Sequence, residues 1–242
     1  MNETAADSET GASSPPAWTR TVRFVLPFFL FLLFTSFEPD ASSLAAYGGF
    51  YFLKMLVVVG ALIWAWGVFP KWSNQGMLLA VIAGILGTVV WVALTKLDLE
   101  ASLRTMLPAW LAGGERAAWN PWESQELAQP WLLAVVGLRL IGLTLIVPLM
   151  EELFWRGFLI RYLTDPDFEK VPYGKCTPLA FGLVTLAFVL VHVEWTAALV
   201  WGAAINGVYW KTKNLWACIV MHAVTNGLLG VWILTQQDWI LW

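Results

Sequence analysis

Polar and apolar positions separate into blocks along this chain. Residues 1–19, rich in Ser, Thr, Ala, Asp, Glu and Pro, read as a disordered polar tail. Apolar blocks follow at 24–37, 44–69, 77–95, 131–148, 178–193, 196–210 and 214–234, several of them near the roughly 20 residues that span a bilayer. Short polar breaks part them, at 70–72, 165–177 and 211–213. The pattern predicts an all-α, polytopic transmembrane bundle of about seven to eight helices with an interior polar site. Arg20 and Arg23 before the first block also fit a signal peptide. The length of the polar tail and the weak cleavage pattern near 41–46 favour an uncleaved span.

Two segments depart from simple spans. The stretch 96–129 is mixed, and LDLEASLRTMLPAWLAGG predicts an interfacial amphipathic helix. The block from Trp131 runs on to about Tyr162, with Pro148 inside it. Proline removes a backbone donor, so a kink or break is expected there.

Composition strengthens the membrane reading: 59% apolar, 13% charged, 17 tryptophans and a mean hydropathy of +0.66. A net charge of −3, with no basic patch among aromatics, argues against nucleic acid as a partner. Cys176 and Cys218 give neither a disulfide framework nor a thiolate zinc spacing. Placing the N-terminus in the cytoplasm gathers Arg20, Arg23, Lys71, Lys170, Lys175, Lys211 and Lys213 on that side, with Lys96, Arg104 and Arg116 opposite. In that orientation the Glu151-Glu152 segment opens toward the cytoplasm and the C-terminus lies outside, provided 149–164 complete no separate crossing.

Ionisable groups inside apolar runs mark candidate chemistry, since a charge at a helix centre costs about 2.5–3.5 kcal/mol on insertion scales. Both histidines of the chain, His192 and His222, sit in such runs, and a third run carries Glu151, Glu152 and Arg156. Glu152 and Arg156 are four apart and can pair, whereas Glu151 points about 100° away. Glu152 is then an electrostatic strut and Glu151 the reactive carboxylate, a general base for water. The bland alternative is an interfacial helix whose glutamates favour the helix dipole. Phe188 precedes His192 by four and can fix its ring. His222 and Asn226 share a helix face and can donate jointly to an oxyanion. Either histidine can instead serve as interhelical glue, the role expected for Asn206 among its small neighbours.

With these motifs, Glu151-Glu152-Leu-Phe-Trp-Arg156, Phe188-Val-Leu-Val-His192 and His222-Ala-Val-Thr-Asn226, residues 131–234 resemble the CAAX protease and bacteriocin-processing (CPBP) family of intramembrane glutamate endopeptidases. Within it, DFEKVPYGK and KNLWACIVMHAVTNGLLG, with Trp239 and Trp242, resemble the exosortase- and PEP-CTERM-associated, CAAX prenyl protease-related subgroup. The resemblance implies that Glu151 and His192 activate water and that His222 and Asn226 form an oxyanion hole, with Glu152, Arg156 and Phe188 in support. It implies no cofactor or metal, a membrane-embedded or membrane-anchored protein or peptide as substrate, and a bacterial inner-membrane location beside an exosortase-type sorting system. The organisation expected is a tail (1–19), N-terminal helices with the interfacial segment (20–130) and a catalytic core (131–242), forming one bundle.

Other readings use the same residues. Zinc hydrolysis would need ligands from three helices, without an HExxH pair. Cys218, His222 and Asn226 form a row along one helix, a poor geometry for a thiol nucleophile and its base. A non-catalytic substrate-binding, immunity or scaffold factor would need no reactive carboxylate. A transporter would be expected to show repeat symmetry, which the chain lacks.

Overall fold

The computed structural model describes residues 17–39, 43–108 and 118–242. The described part is helical: α1 (Ala17–Thr35), α2 (Leu44–Ala65), α3 (Met77–Leu97), α4 (Ala101–Met106), α5 (Gln129–Tyr162), α6 (Pro178–Leu190), α7 (Trp195–Thr212) and α8 (Leu215–Gln236). Five of the helices, α1, α2, α3, α5 and α8, are long and apolar enough to cross a membrane, as expected of an integral membrane protein. The expected tail lies outside the described residues up to position 16, and its last three residues open α1. Of the expected interfacial helix, α4 is seen, whereas 109–117, with Arg116, lie outside the described residues.

Buried positions follow helical periodicity. In α2, Leu44, Tyr47, Tyr51, Met55, Val58, Leu62 and Ala65 face inward. In α3, Leu78, Ile82, Ile85 and Val89 point outward, as lipid-facing residues do. Helices α3 and α8 meet through small residues and hydroxyls rather than large apolar ones. Thr88 Oγ1 donates to Thr225 O at 3.2 Å, and Thr225 Oγ1 donates to Gly84 O at 3.1 Å. A Cβ on Gly84 would stand 2.7 Å from Met221 O, so only glycine permits this approach.

Of the kink or break expected at Pro148, the break does not occur. Two π-helical stretches interrupt its α-helical pattern, Gly142–Ile146 and Leu153–Leu159, one on each side of the glutamate pair. Within the first, Val147 N–H reaches back five residues to Gly142 O. That wider turn makes room for the proline ring and keeps the helix continuous over 34 residues. The stretch 149–164 thus completes no separate crossing.

Contacts at the helix ends sort the loops. Arg20 pairs with Glu169 at 3.1 Å, and Asn214 Nδ2 donates to Ser73 O and Gln75 O at 2.9 and 2.8 Å. The start of α1, the α2–α3 and α7–α8 turns and the 163–177 loop therefore share one end, with Lys71, Lys170, Lys175, Lys211 and Lys213. At the other end Lys96 pairs with Asp238 at 3.4 Å, and Arg104 donates to Val193 O.

Helix α6 is shorter than expected. Thirteen residues rise only about 20 Å, against a hydrocarbon core of about 30 Å. The α6–α7 turn holds His192 half-buried against Phe188 and Trp91. Backbone of that kind survives at membrane depth only where protein satisfies it. Here Arg104 takes the Val193 carbonyl, and Thr196 donates its hydroxyl to the buried Glu100 carboxylate.

Candidate active site

Glu151 and Glu152 are neighbours in sequence with different surroundings. Glu152 is fully buried, and both its oxygens accept from Arg156 Nη1 at 3.0 Å. The expected strut is present, with an unexpected third member. His222 Nδ1 lies 2.9 Å from Glu152 Oε1, so the strut also fixes the second histidine. Glu151, 8% exposed, lines a cavity of about 340 Å³, and its Oε2 has no hydrogen-bond partner among the described residues.

Arg156 is anchored further. Its Nε donates to Asn206 Oδ1 at 2.9 Å, and Asn206 Nδ2 donates to Thr185 Oγ1 at 3.0 Å. Asn206 therefore links α7 to α5 and α6 by hydrogen bonds, as interhelical glue does. The Arg156 guanidinium also lies 5.6 Å from the Phe188 ring centre.

His192 sits just beyond the end of α6, and its Nδ1 is 2.7 Å from Phe188 O. A carbonyl only accepts, so Nδ1 carries the proton in the neutral ring and Nε2 is the basic nitrogen. The Phe188 ring stacks on the imidazole at 4.1 Å, and Trp91 meets it edge-on at 5.7 Å. Trp201 stacks on Phe188 at 5.3 Å and meets the His222 ring edge-on at 4.7 Å.

Asn226 completes the group through the π turn in α5. Because Val147 N–H goes to Gly142 O and Pro148 has no N–H, the Leu143 carbonyl lacks its helical donors. Asn226 Nδ2 supplies one at 2.9 Å. An amide nitrogen has two hydrogens, so one N–H remains for another acceptor. The two expected oxyanion donors are thus each pinned on one side, His222 by Glu152 and Asn226 by Leu143.

Glu151, His192, His222 and Asn226 all line the same cavity, so the structure brings together the four candidates. Glu152 and Arg156 lie behind them, and Phe188 is part of the wall. The lining also includes Glu38, Lys54 and Arg139, which the sequence reading passed over although each basic group interrupts an apolar run as Glu151 does. From Glu151 the cavity extends past Arg139 and Glu194 to Glu38 and Trp242, the end away from the basic loops. Among the described residues, no group of three or more His, Cys, Asp or Glu side chains is arranged to hold a metal ion. Cys218 is fully buried outside the cavity lining, with Sγ 3.7 Å from Asn214 O.

No curated protein and no solved structure matches the chain. Residues 131–228, from the start of α5 into α8, match the family model described as Type II CAAX prenyl endopeptidase Rce1-like, and all four cavity-lining candidates fall within that range.

Proposed function

We propose that the protein is an intramembrane endopeptidase that hydrolyses a peptide bond of a membrane-embedded or membrane-anchored protein with activated water. The observation that carries this reading is Glu151, which lines a cavity shared with His192, His222 and Asn226 and has one carboxylate oxygen without a hydrogen-bond partner among the described residues. The similarity of residues 131–228 to CAAX-type endopeptidases supports the same class of reaction.

In this mechanism a water lies between the Glu151 carboxylate and His192 Nε2. Glu151 takes a proton as the water oxygen bonds to the scissile carbonyl carbon, and the carbonyl oxygen becomes an oxyanion. The spare N–H of Asn226 and His222 Nε2–H receive that charge. His222 donates through Nε2 only as an imidazolium, because Nδ1–H is directed at Glu152. Glu151, Glu152, Arg156 and the imidazolium then sum to zero charge, which suits a site shielded from water. Collapse of the intermediate breaks the C–N bond, and the proton on Glu151 passes to the leaving amine. On the sequence resemblance, we place the protein in a bacterial inner membrane, N-terminus cytoplasmic, beside an exosortase-type sorting system.

The test uses purified protein in lipid nanodiscs with a pool of membrane-derived peptides, read by mass spectrometry of new termini. Cleavage by wild type that Glu151→Gln abolishes, and that persists with a chelator present, is the expected result. Cleavage stopped by the chelator would favour the zinc reading. Equal binding and no cleavage by either protein would favour a binding or scaffold role.

A further inference from the structure

At the other end of the cavity from Glu151 lies a second set of charged groups. Lys54, 2% exposed, pairs with Glu38 Oε2 at 2.6 Å and lies 4.8 and 4.7 Å from the Phe31 and Tyr51 ring centres. Arg139 stands in the field of the same Glu38 but makes no ion pair among the described residues. Its Nη1 donates to the Tyr47 hydroxyl, and its guanidinium lies 5.1 Å from the Trp242 ring centre and 5.5 Å from that of Tyr47. Its Nε, Glu38 Oε1 and the Tyr51 hydroxyl have no hydrogen-bond partners among the described residues.

Among the described residues Glu38 makes its ion pair with Lys54, and no carboxylate stands within salt-bridge distance of Arg139. Aromatic faces offset a desolvated guanidinium by only about 2 kcal/mol. A cation at membrane depth ordinarily pairs or faces a pathway. Arg139 faces the cavity that holds the reactive carboxylate. The unpartnered Nε and the Tyr51 hydroxyl are donors, the pair a carboxylate accepts from.

We propose that Arg139, with Lys54 and Tyr51, forms a subsite for a carboxylate on the substrate, and that Glu38 holds the place of that carboxylate beside Lys54 while the cavity is empty. The proposal rests on the hydrolytic reading and adds a ruler to it. Arg139 and Glu151 stand twelve residues apart on α5, about 18 Å at the ordinary helical rise. An extended peptide covers that distance in about five residues. The substrate carboxylate, from an acidic side chain or a free C-terminus, therefore lies about four to six residues from the bond presented to Glu151.

The test measures binding separately from cleavage. The full-length Glu151→Gln protein in nanodiscs is titrated with N-acetylated apolar decapeptides. One set carries a free or an amidated C-terminus. Another, amidated throughout, carries a single Asp or Asn moved along the chain. We expect the carboxylate form to bind 10- to 100-fold tighter than its neutral twin, the strength of a charged hydrogen bond. Arg139→Gln should abolish the preference and Arg139→Lys should keep part of it. Unchanged binding of the neutral peptide shows that each variant is folded. Preference only for a free C-terminus, or only for an internal Asp, identifies the source of the carboxylate. Equal binding of charged and neutral peptides, or a preference that survives Arg139→Gln, would overturn the subsite. Carboxylate-dependent binding without cleavage by wild type would instead keep the subsite and remove the hydrolytic reading.

Discussion

Exchanging either glutamate for glutamine separates two roles that adjacent carboxylates rarely divide so sharply. Glu152→Gln removes the counter-charge of a fully buried arginine and the acceptor that fixes His222. Breaking one partner of a buried ion pair costs about 3–5 kcal/mol, because the other charge is left uncompensated. The remaining Asn206 contact to Arg156 is neutral and restores little of this. Glu151→Gln, in contrast, breaks no ion pair among the described residues, so its stability change should stay well below that of Glu152→Gln. Its rate should fall by about 10²–10⁴, the usual contribution of a general base. Unfolding in detergent, followed by tryptophan fluorescence, gives the stabilities, and peptide cleavage gives the rates. Glu152→Met with Arg156→Met should recover most of the lost stability, since an apolar pair of similar volume replaces a buried ion pair at little cost. A Glu151→Gln protein destabilised as much as Glu152→Gln would refute this division of labour.

Further outcomes follow from other contacts. Asn226→Ala should lower kcat by about 10²–10³ with little change in KM, since one oxyanion donor is lost, and steady-state kinetics checks it. Arg104→Ala releases the Val193 carbonyl beside His192 and should lower kcat by about 10- to 100-fold through misplacement of the ring, with the unfolding midpoint as control. Gly84→Ala pushes a methyl against Met221 O and Val224 and should destabilise the α3–α8 crossing by about 1–3 kcal/mol in the same unfolding assay. Cys218→Ala should keep its activity within about twofold, because the thiol lies outside the cavity and serves packing.

Helix identity was legible in the sequence because lipid-facing and buried residues are both apolar, which makes long apolar runs unmistakable. The pairing of Glu152 with Arg156 was legible too, since it depends on spacing within one helix. The reach of Glu152 to His222 was not, because it joins residues 70 apart through the packing of α5 on α8. Pro148 was visible, but its consequence depends on whether a wider turn can relieve the ring, and Asn226 makes that turn viable from another helix. The length of α6 was overread because Val191–Val193 continue the apolar run after the helix has ended. Lys54 and Arg139 could have been found by the logic applied to the glutamates, as ionisable groups inside apolar blocks. Their meeting in one cavity needed the fold.

Hydrolysis that depends on Glu151 is the central claim, and protein termini in host cells test it most directly. Cells carrying wild type, Glu151→Gln or no copy of the protein are compared by terminal mass spectrometry at matched expression. New termini present with wild type and absent from both other strains are the predicted result. Identical termini in all three, with the Glu151→Gln strain still supporting the process the protein serves, would contradict the account.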